Sequence, residues 1–243
     1  MTSTPSARFL SRYDDTTPPT AQSWLLDVLK RALPPMVALF ALNAAVGLFI
    51  VHVLQGNFAE DSVNRYLQDR RTPTLDAFAA FGSAMGSVMT NIIGCLVLMA
   101  LIWLITRKWW VAVLPGLALV LQAILHMAVS GLVDRLRPVG VEQLDAAPPT
   151  AAFPSGHTGA TLTQLVVIAF LLSRLHRRLV TVLAWALAVV YTGVVIWARL
   201  YQGMHAVTDV GMGIVNGVTC AIIAWLTLRR APVAEPAPQR SGV

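Results

Sequence analysis

Residues 151–173, AAFPSGHTGATLTQLVVIAFLLS, set a proline, a serine, a glycine and a histidine directly ahead of a long apolar run. The run from His157 to Ser173 is close to the shortest helix that crosses a hydrocarbon core, and Ser155 is placed to cap it. Polar and ionisable groups at the point where a chain enters a membrane are costly, so their presence there asks for a functional reason.

The surrounding sequence has the same character. Over 243 residues the chain is 56% hydrophobic and only 12% charged, a balance too apolar for an ordinary soluble surface. Five further stretches are long and apolar enough to span a bilayer as helix: roughly 34–54, 84–106, 109–133, 179–198 and 206–228. The expectation is an all-α integral membrane protein with six transmembrane helices, occupying residues 34–228. Residues 1–33 carry scattered charges and no early apolar core, and are read as a cytoplasmic tail in place of a cleaved signal. Residues 229–243 are proline-rich and are read as a disordered cytoplasmic tail.

Charge sets the orientation. With a cytoplasmic N-terminus, twelve of the 18 Lys and Arg fall on inner segments, among them Lys30, Arg31, Arg107, Lys108, Arg177, Arg178, Arg229 and Arg230. The formal charge of +6 then flanks membrane spans and implies no nucleic-acid partner. The same topology places the chain in the plasma membrane with both termini inside. Cys95 and Cys220 fall within spans and read as packing residues, with no zinc motif or disulfide framework around them.

Between the first two spans, NFAEDSVNRYLQDRRTPTLDAFAAFGS mixes apolar and charged residues at helical spacing and is broken at Thr72-Pro73. It predicts two short interfacial helices, read as a connector in preference to a lid over a site.

Three polar clusters converge on the outer face in this topology. Arg135, Arg137 and Pro138 close the third span; Pro154, Ser155, Gly156 and His157 open the fourth; Arg199 closes the fifth, and His205 with Asp209 opens the sixth. Each suits an anion. Gly156 lets an anion approach the backbone, and the free amides and dipole of a helix start favour negative charge there. Arg137 and Arg199 offer planar forks that match phosphate oxygens. His205 and Asp209 are four residues apart and share a helix face, so the carboxylate can hold one imidazole nitrogen protonated while the other faces a substrate, the arrangement of an activated nucleophile. His157 is placed to protonate a departing oxygen. His126, deeper in the third span, reads as a buried, hydrogen-bonded core residue.

Arg-Pro at 137–138, PSGH at 154–157, and the spacing from Arg199 through His205 to Asp209 resemble, in order, the three signature motifs of the phosphatidic acid phosphatase type 2 superfamily. The resemblance covers about residues 34–228. It implies that His205 attacks phosphorus and carries a phosphohistidine, that Asp209 orients it, and that His157 acts as general acid and then as base for water. It also implies that Arg137, Ser155, Gly156 and Arg199 bind the phosphoryl oxygens, with no metal or other cofactor. Two positions depart from the pattern. Ser130 stands where the family has lysine, and Ala198 stands where it has serine. His126, Ser130, Asp134 and Arg137 lie on one helical stripe at about 100° per residue. Ser130 as a hydrogen-bond donor and Arg135 as a replacement cation form one account of the missing lysine; Arg135 meeting lipid headgroups is the other.

The function expected from these residues is hydrolysis of a lipid phosphate monoester or diphosphate at the outer leaflet. Candidate substrates are a polyprenyl phosphate or diphosphate, phosphatidic acid and phosphatidylglycerophosphate. Two alternatives stand beside it: a lipid phosphotransferase using the same intermediate, and a protein that binds or transports a lipid phosphate without cleaving it.

Overall fold

Thr20 opens the first helix, its hydroxyl oxygen accepting from the Ser23 amide at 3.1 Å. From there a computed structural model describes residues 17–54 and 60–228. In chain order the helices are α1 (Ala21–Phe49), continued by a π-helical turn (Ile50–Leu54), α2 (Asp61–Gln68), α3 (Pro73–Met85), α4 (Val88–Thr106), α5 (Trp109–Ala112), α6 (Leu114–Val133), α7 (Gly156–Ser173), α8 (Arg178–Tyr201) and α9 (Val207–Thr227). Six units are long and apolar enough to cross a membrane: Ala21–Leu54, Val88–Thr106, Trp109–Val133, Gly156–Ser173, Arg178–Tyr201 and Val207–Thr227. The fold is all-helical, as expected. The predicted C-terminal tail, residues 229–243, lies outside the described residues.

One boundary differs. The first spanning unit begins at Ala21, not near residue 34, and runs straight through Pro34 and Pro35. Prolines are tolerated in membrane helices where neighbouring groups take up the freed carbonyls. Arg31 explains why the charged first turns are kept: its Nη1 lies 3.4 Å from both the Leu226 and Leu228 carbonyls, serving the C-terminal end of α9.

Polar pairs and small residues bind the bundle, because apolar side chains gain little by leaving lipid for protein. Asn43 of α1 and Asn216 of α9 exchange reciprocal amide hydrogen bonds at 2.8 Å, both fully buried. On α9, Gly213 and Gly217 face α7. A Cβ at Gly213 would come within 2.9 Å of the Ser155 carbonyl, and one at Gly217 within 2.8 Å of the Gly159 carbonyl. The backbones of α7 and α9 therefore touch near their N-termini, and the Ser155 amide donates to the Asp209 carbonyl at 2.9 Å. Further along, Val166 and Val167 of α7 meet Ala221, Ala224 and Trp225 of α9 in the largest apolar cluster.

A Gly217→Val substitution drives a branched side chain into backbone that cannot retreat. It is expected to cost about 1–3 kcal/mol of stability, read as a lower melting temperature of the detergent-solubilised protein.

Candidate active site

The site forms where the starts of α7 and α9 meet. Ser155 caps α7, its Oγ accepting from the Thr158 amide at 3.4 Å. Among the described residues the Gly156 and His157 amides have no acceptor. At α9 the amide that corresponds to His157's is taken. Asp209 Oδ2 accepts from the Ala206 amide at 2.7 Å, and Glu60, arriving from ahead of α2, accepts from the Thr208 amide at 3.0 Å and its hydroxyl at 2.7 Å. Among the described residues the α7 start thus offers two adjacent unpartnered amides to an anion, where at α9 the Thr208 amide is already taken.

A cavity of about 490 Å³ lies over that start, lined by Gly156, His157, Arg137, Arg199 and His205. The sequence motifs thus converge on one hollow, with both imidazoles on its wall. His205 Nδ1 lies 2.8 Å from the Ala152 carbonyl oxygen. A carbonyl can only accept, so Nδ1 carries the proton and Nε2 keeps its lone pair. Burial pushes the His205 pKa below the ordinary histidine range, and Asp209 pulls in the other direction. Burial thus favours the neutral ring over the imidazolium.

Asp209 does not hold the ring as expected. Its Oδ2 is 3.7 Å from His205 Nδ1 and is bonded to the Ala206 amide instead, so the Ala152 carbonyl fixes the tautomer and Asp209 contributes charge from just behind. Ser155 is fully buried as the α7 cap and does not line the cavity. Ser130 donates to the Met127 carbonyl at 3.3 Å and is also absent from the lining. The helical stripe ends early: Asp134 takes a left-handed conformation (φ 45°) and closes α6 at Val133.

Arg135 is not a phosphate ligand in this arrangement. Its Nη1 donates to Asp209 Oδ1 at 2.6 Å and to Thr208 Oγ1 at 2.7 Å, while Nη2 pairs with Glu60 Oε1. The side chain is locked between two buried carboxylates, which excludes both the replacement-cation and the headgroup accounts. Arg137 spends part of its fork on the Pro148 and Met204 carbonyls, at 2.7 and 2.5 Å, and turns the remainder to the cavity.

Sequence reasoning missed several members. Asp145, from the loop between α6 and α7, lines the cavity and accepts from Arg199 Nη1 at 2.7 Å, although its side chain is 42% exposed. Burial alone would raise its pKa, but the Arg199 hydrogen bond and charge hold it below the usual carboxylate range. Arg199 also donates to Ser83 of α3 at 2.6 Å. His126 is on the cavity wall, not in the core. The short helices α2 and α3 are more than a connector: Asn64 donates to the Leu200 and His205 carbonyls, and Arg71 to the Tyr201 carbonyl. They brace the segment that carries Arg199 and His205.

The family model for the PAP2 superfamily matches residues 109–232, about half of the chain. The chain belongs to the PAP2 superfamily. It is similar in structure to a transmembrane PAP2-type phosphatidylglycerolphosphate phosphatase from Bacillus subtilis, with a TM-score of 0.65 and 21% identity over 79% of this chain and 94% of that one. It is also similar to LpxE of Aquifex aeolicus, with a TM-score of 0.54 and 24% identity over 67% of this chain and 92% of that one. No curated protein matches. These likenesses show the PAP2 membrane fold.

Two outcomes follow from the charge arrangement. Arg135→Ala leaves Glu60 and Asp209 buried and unpaired, and is expected to cost on the order of 3–5 kcal/mol, measured as a fall in melting temperature. Asp145→Asn releases the Arg199 fork; because Asp145 is partly exposed, inorganic phosphate should bind only about two- to fivefold more tightly, measured by calorimetric titration.

Proposed function

We propose that this PAP2 protein hydrolyses a lipid phosphate monoester or diphosphate in two in-line steps. His205 Nε2 attacks phosphorus while His157 protonates the departing oxygen, leaving a phosphohistidine. His157 then takes a proton from water, which attacks the phosphohistidine and frees phosphate. Arg137, Arg199 and the Gly156 and His157 amides face the equatorial oxygens, where charge gathers in the transition state. On the orientation read from the basic residues, the site faces the extracytoplasmic side of the plasma membrane.

The observation that carries the lipid assignment is the shape of the cavity. Its lining joins the histidines and arginines to Val88 and Ile92 of α4 and to Leu119, Val120 and Ala123 of α6. Val88, Ile92 and Val120 are 71%, 43% and 53% exposed, so the hollow continues onto the face that lipid would cover. A substrate with a phosphate head and an apolar tail can enter sideways between α4 and α6, each part meeting its own solvent.

The test uses purified protein in detergent with a panel of lipid phosphates: a polyprenyl phosphate, a polyprenyl diphosphate, phosphatidic acid and phosphatidylglycerophosphate. Phosphate release from at least one is expected. His205→Ala should lower it by at least about 10⁴-fold, the scale on which loss of a nucleophile in a preorganised site acts. Undiminished release by His205→Ala would reject the mechanism, and transfer of the phosphoryl group to an added acceptor in place of water would reassign the protein as a phosphotransferase.

A further inference from the structure

The cavity holds a third imidazole that the two-histidine mechanism does not use. His126 of α6 lines it and is partly exposed there. Its Nδ1 lies 3.1 Å from the Pro154 carbonyl oxygen, which can only accept, so Nδ1 carries a proton. Among the described residues Nε2 has no partner. The position of Nε2 is telling. A Cβ placed on Gly156 would come within 3.0 Å of it, so the ring packs directly against the residue whose amide opens α7. The electrostatic neighbours of the ring are Arg137, His205 and His157, each on the same cavity wall, with Arg199 and Asp145 completing the charged groups that line it.

We propose that His126 Nε2 contacts the substrate's terminal phosphoryl group and shares one proton with it. The inference rests on the phosphate-binding site described above and specifies how that site selects its ligand. A terminal phosphate has a second ionisation near pH 6, so near neutrality it can meet the ring either as a dianion or with one proton still bound. Either the imidazolium donates to a dianion, or the neutral ring accepts from a P–OH. No bond to phosphorus forms or breaks in this contact. A phosphodiester has no such proton to share, and its lone pairs face the lone pair of Nε2. The site thereby favours a monoester or the free end of a diphosphate over a diester. Gly156 fits the same account, since any side chain there would push the imidazole away from the amides.

Two substitutions separate contact from support. His126→Asn keeps a donor at the position that serves the Pro154 carbonyl but deletes the distal nitrogen; His126→Gln places an amide nitrogen near the distal position. With inorganic phosphate titrated into the full-length detergent-solubilised protein, His126→Asn is expected to raise Kd about tenfold, the loss of one hydrogen bond to a charged group, and His126→Gln by less than about threefold. Monomethyl phosphate should bind the parent more tightly than dimethyl phosphate, and His126→Asn should erase most of that preference. An unchanged Kd in His126→Asn overturns the proposal, as does a parent with no preference for the monoester. Equal weakening in both variants with equal loss of melting temperature makes His126 a strut and also overturns it. If His126→Asn fails to fold, His126→Gln decides: a Kd near the parent's supports the contact, and tenfold weaker binding rejects it. A parent that binds phosphate through His126 but cleaves no lipid phosphate sinks the hydrolase reading and leaves this one standing.

Discussion

The hydrogen bond from the Ser155 amide to the Asp209 carbonyl, with backbone contact at Gly213 and Gly217 behind it, brings two helix starts together at one end of an apolar bundle. Two positive dipole ends and their unsatisfied amides cannot lie side by side in a low-dielectric setting without anions to answer them. One start is answered from within the chain, by Asp209 and Glu60. The other is left open beneath a cavity. The two starts are therefore unequal, and the histidines and arginines line the cavity over the more open one.

The buried carboxylates then need cations of their own, which accounts for Arg135. Its guanidinium joins Glu60, Thr208 and Asp209 into one network whose two carboxylates are buried. Such a network contributes little net stability against an apolar replacement, but losing one member strands the rest. It ties the segment ahead of α2 to the residue behind His205. Asn64, Arg71 and Ser83 reinforce the link from the same stretch of chain, so the region between the first two spans helps to hold His205 and Arg199 in place.

The six spans were legible because lipid imposes long apolar runs, and the cavity residues at 137, 156, 157, 199 and 205 were legible because each sits at a span end where polarity is conspicuous. The first span's start was not. Pro34, Pro35 and the charges at 30 and 31 read as a boundary, yet Arg31 is used across the bundle on the end of α9. The partner of His205 was out of reach for a different reason: the Ala152 carbonyl is a backbone group that every residue possesses, and only the fold selects it. Asp145 and Glu60 lie in loops distant in sequence from what they touch. His126 did leave a signal, an ionisable group within a span one turn from Ser130, but burial in a core produces the same signal and the sequence does not say which wall the ring faces.

Asp145 shows how two arginines can share one cavity wall. Arg137 and Arg199 face one another's charge across a partly apolar hollow, a repulsion that would oppose folding if nothing offset it. The Asp145 carboxylate on Arg199 offsets part of it while remaining near solvent, on a loop and not on a helix. An anion that takes the Arg199 fork must share or replace that carboxylate, so its affinity is the difference between two ion pairs, not the full strength of one. The same exchange works in reverse when that anion leaves, because the displaced carboxylate competes for the arginine. A fully buried acid in that position would hold the arginine more tightly, and no acid at all would leave its charge unbalanced; partial exposure lies between the two.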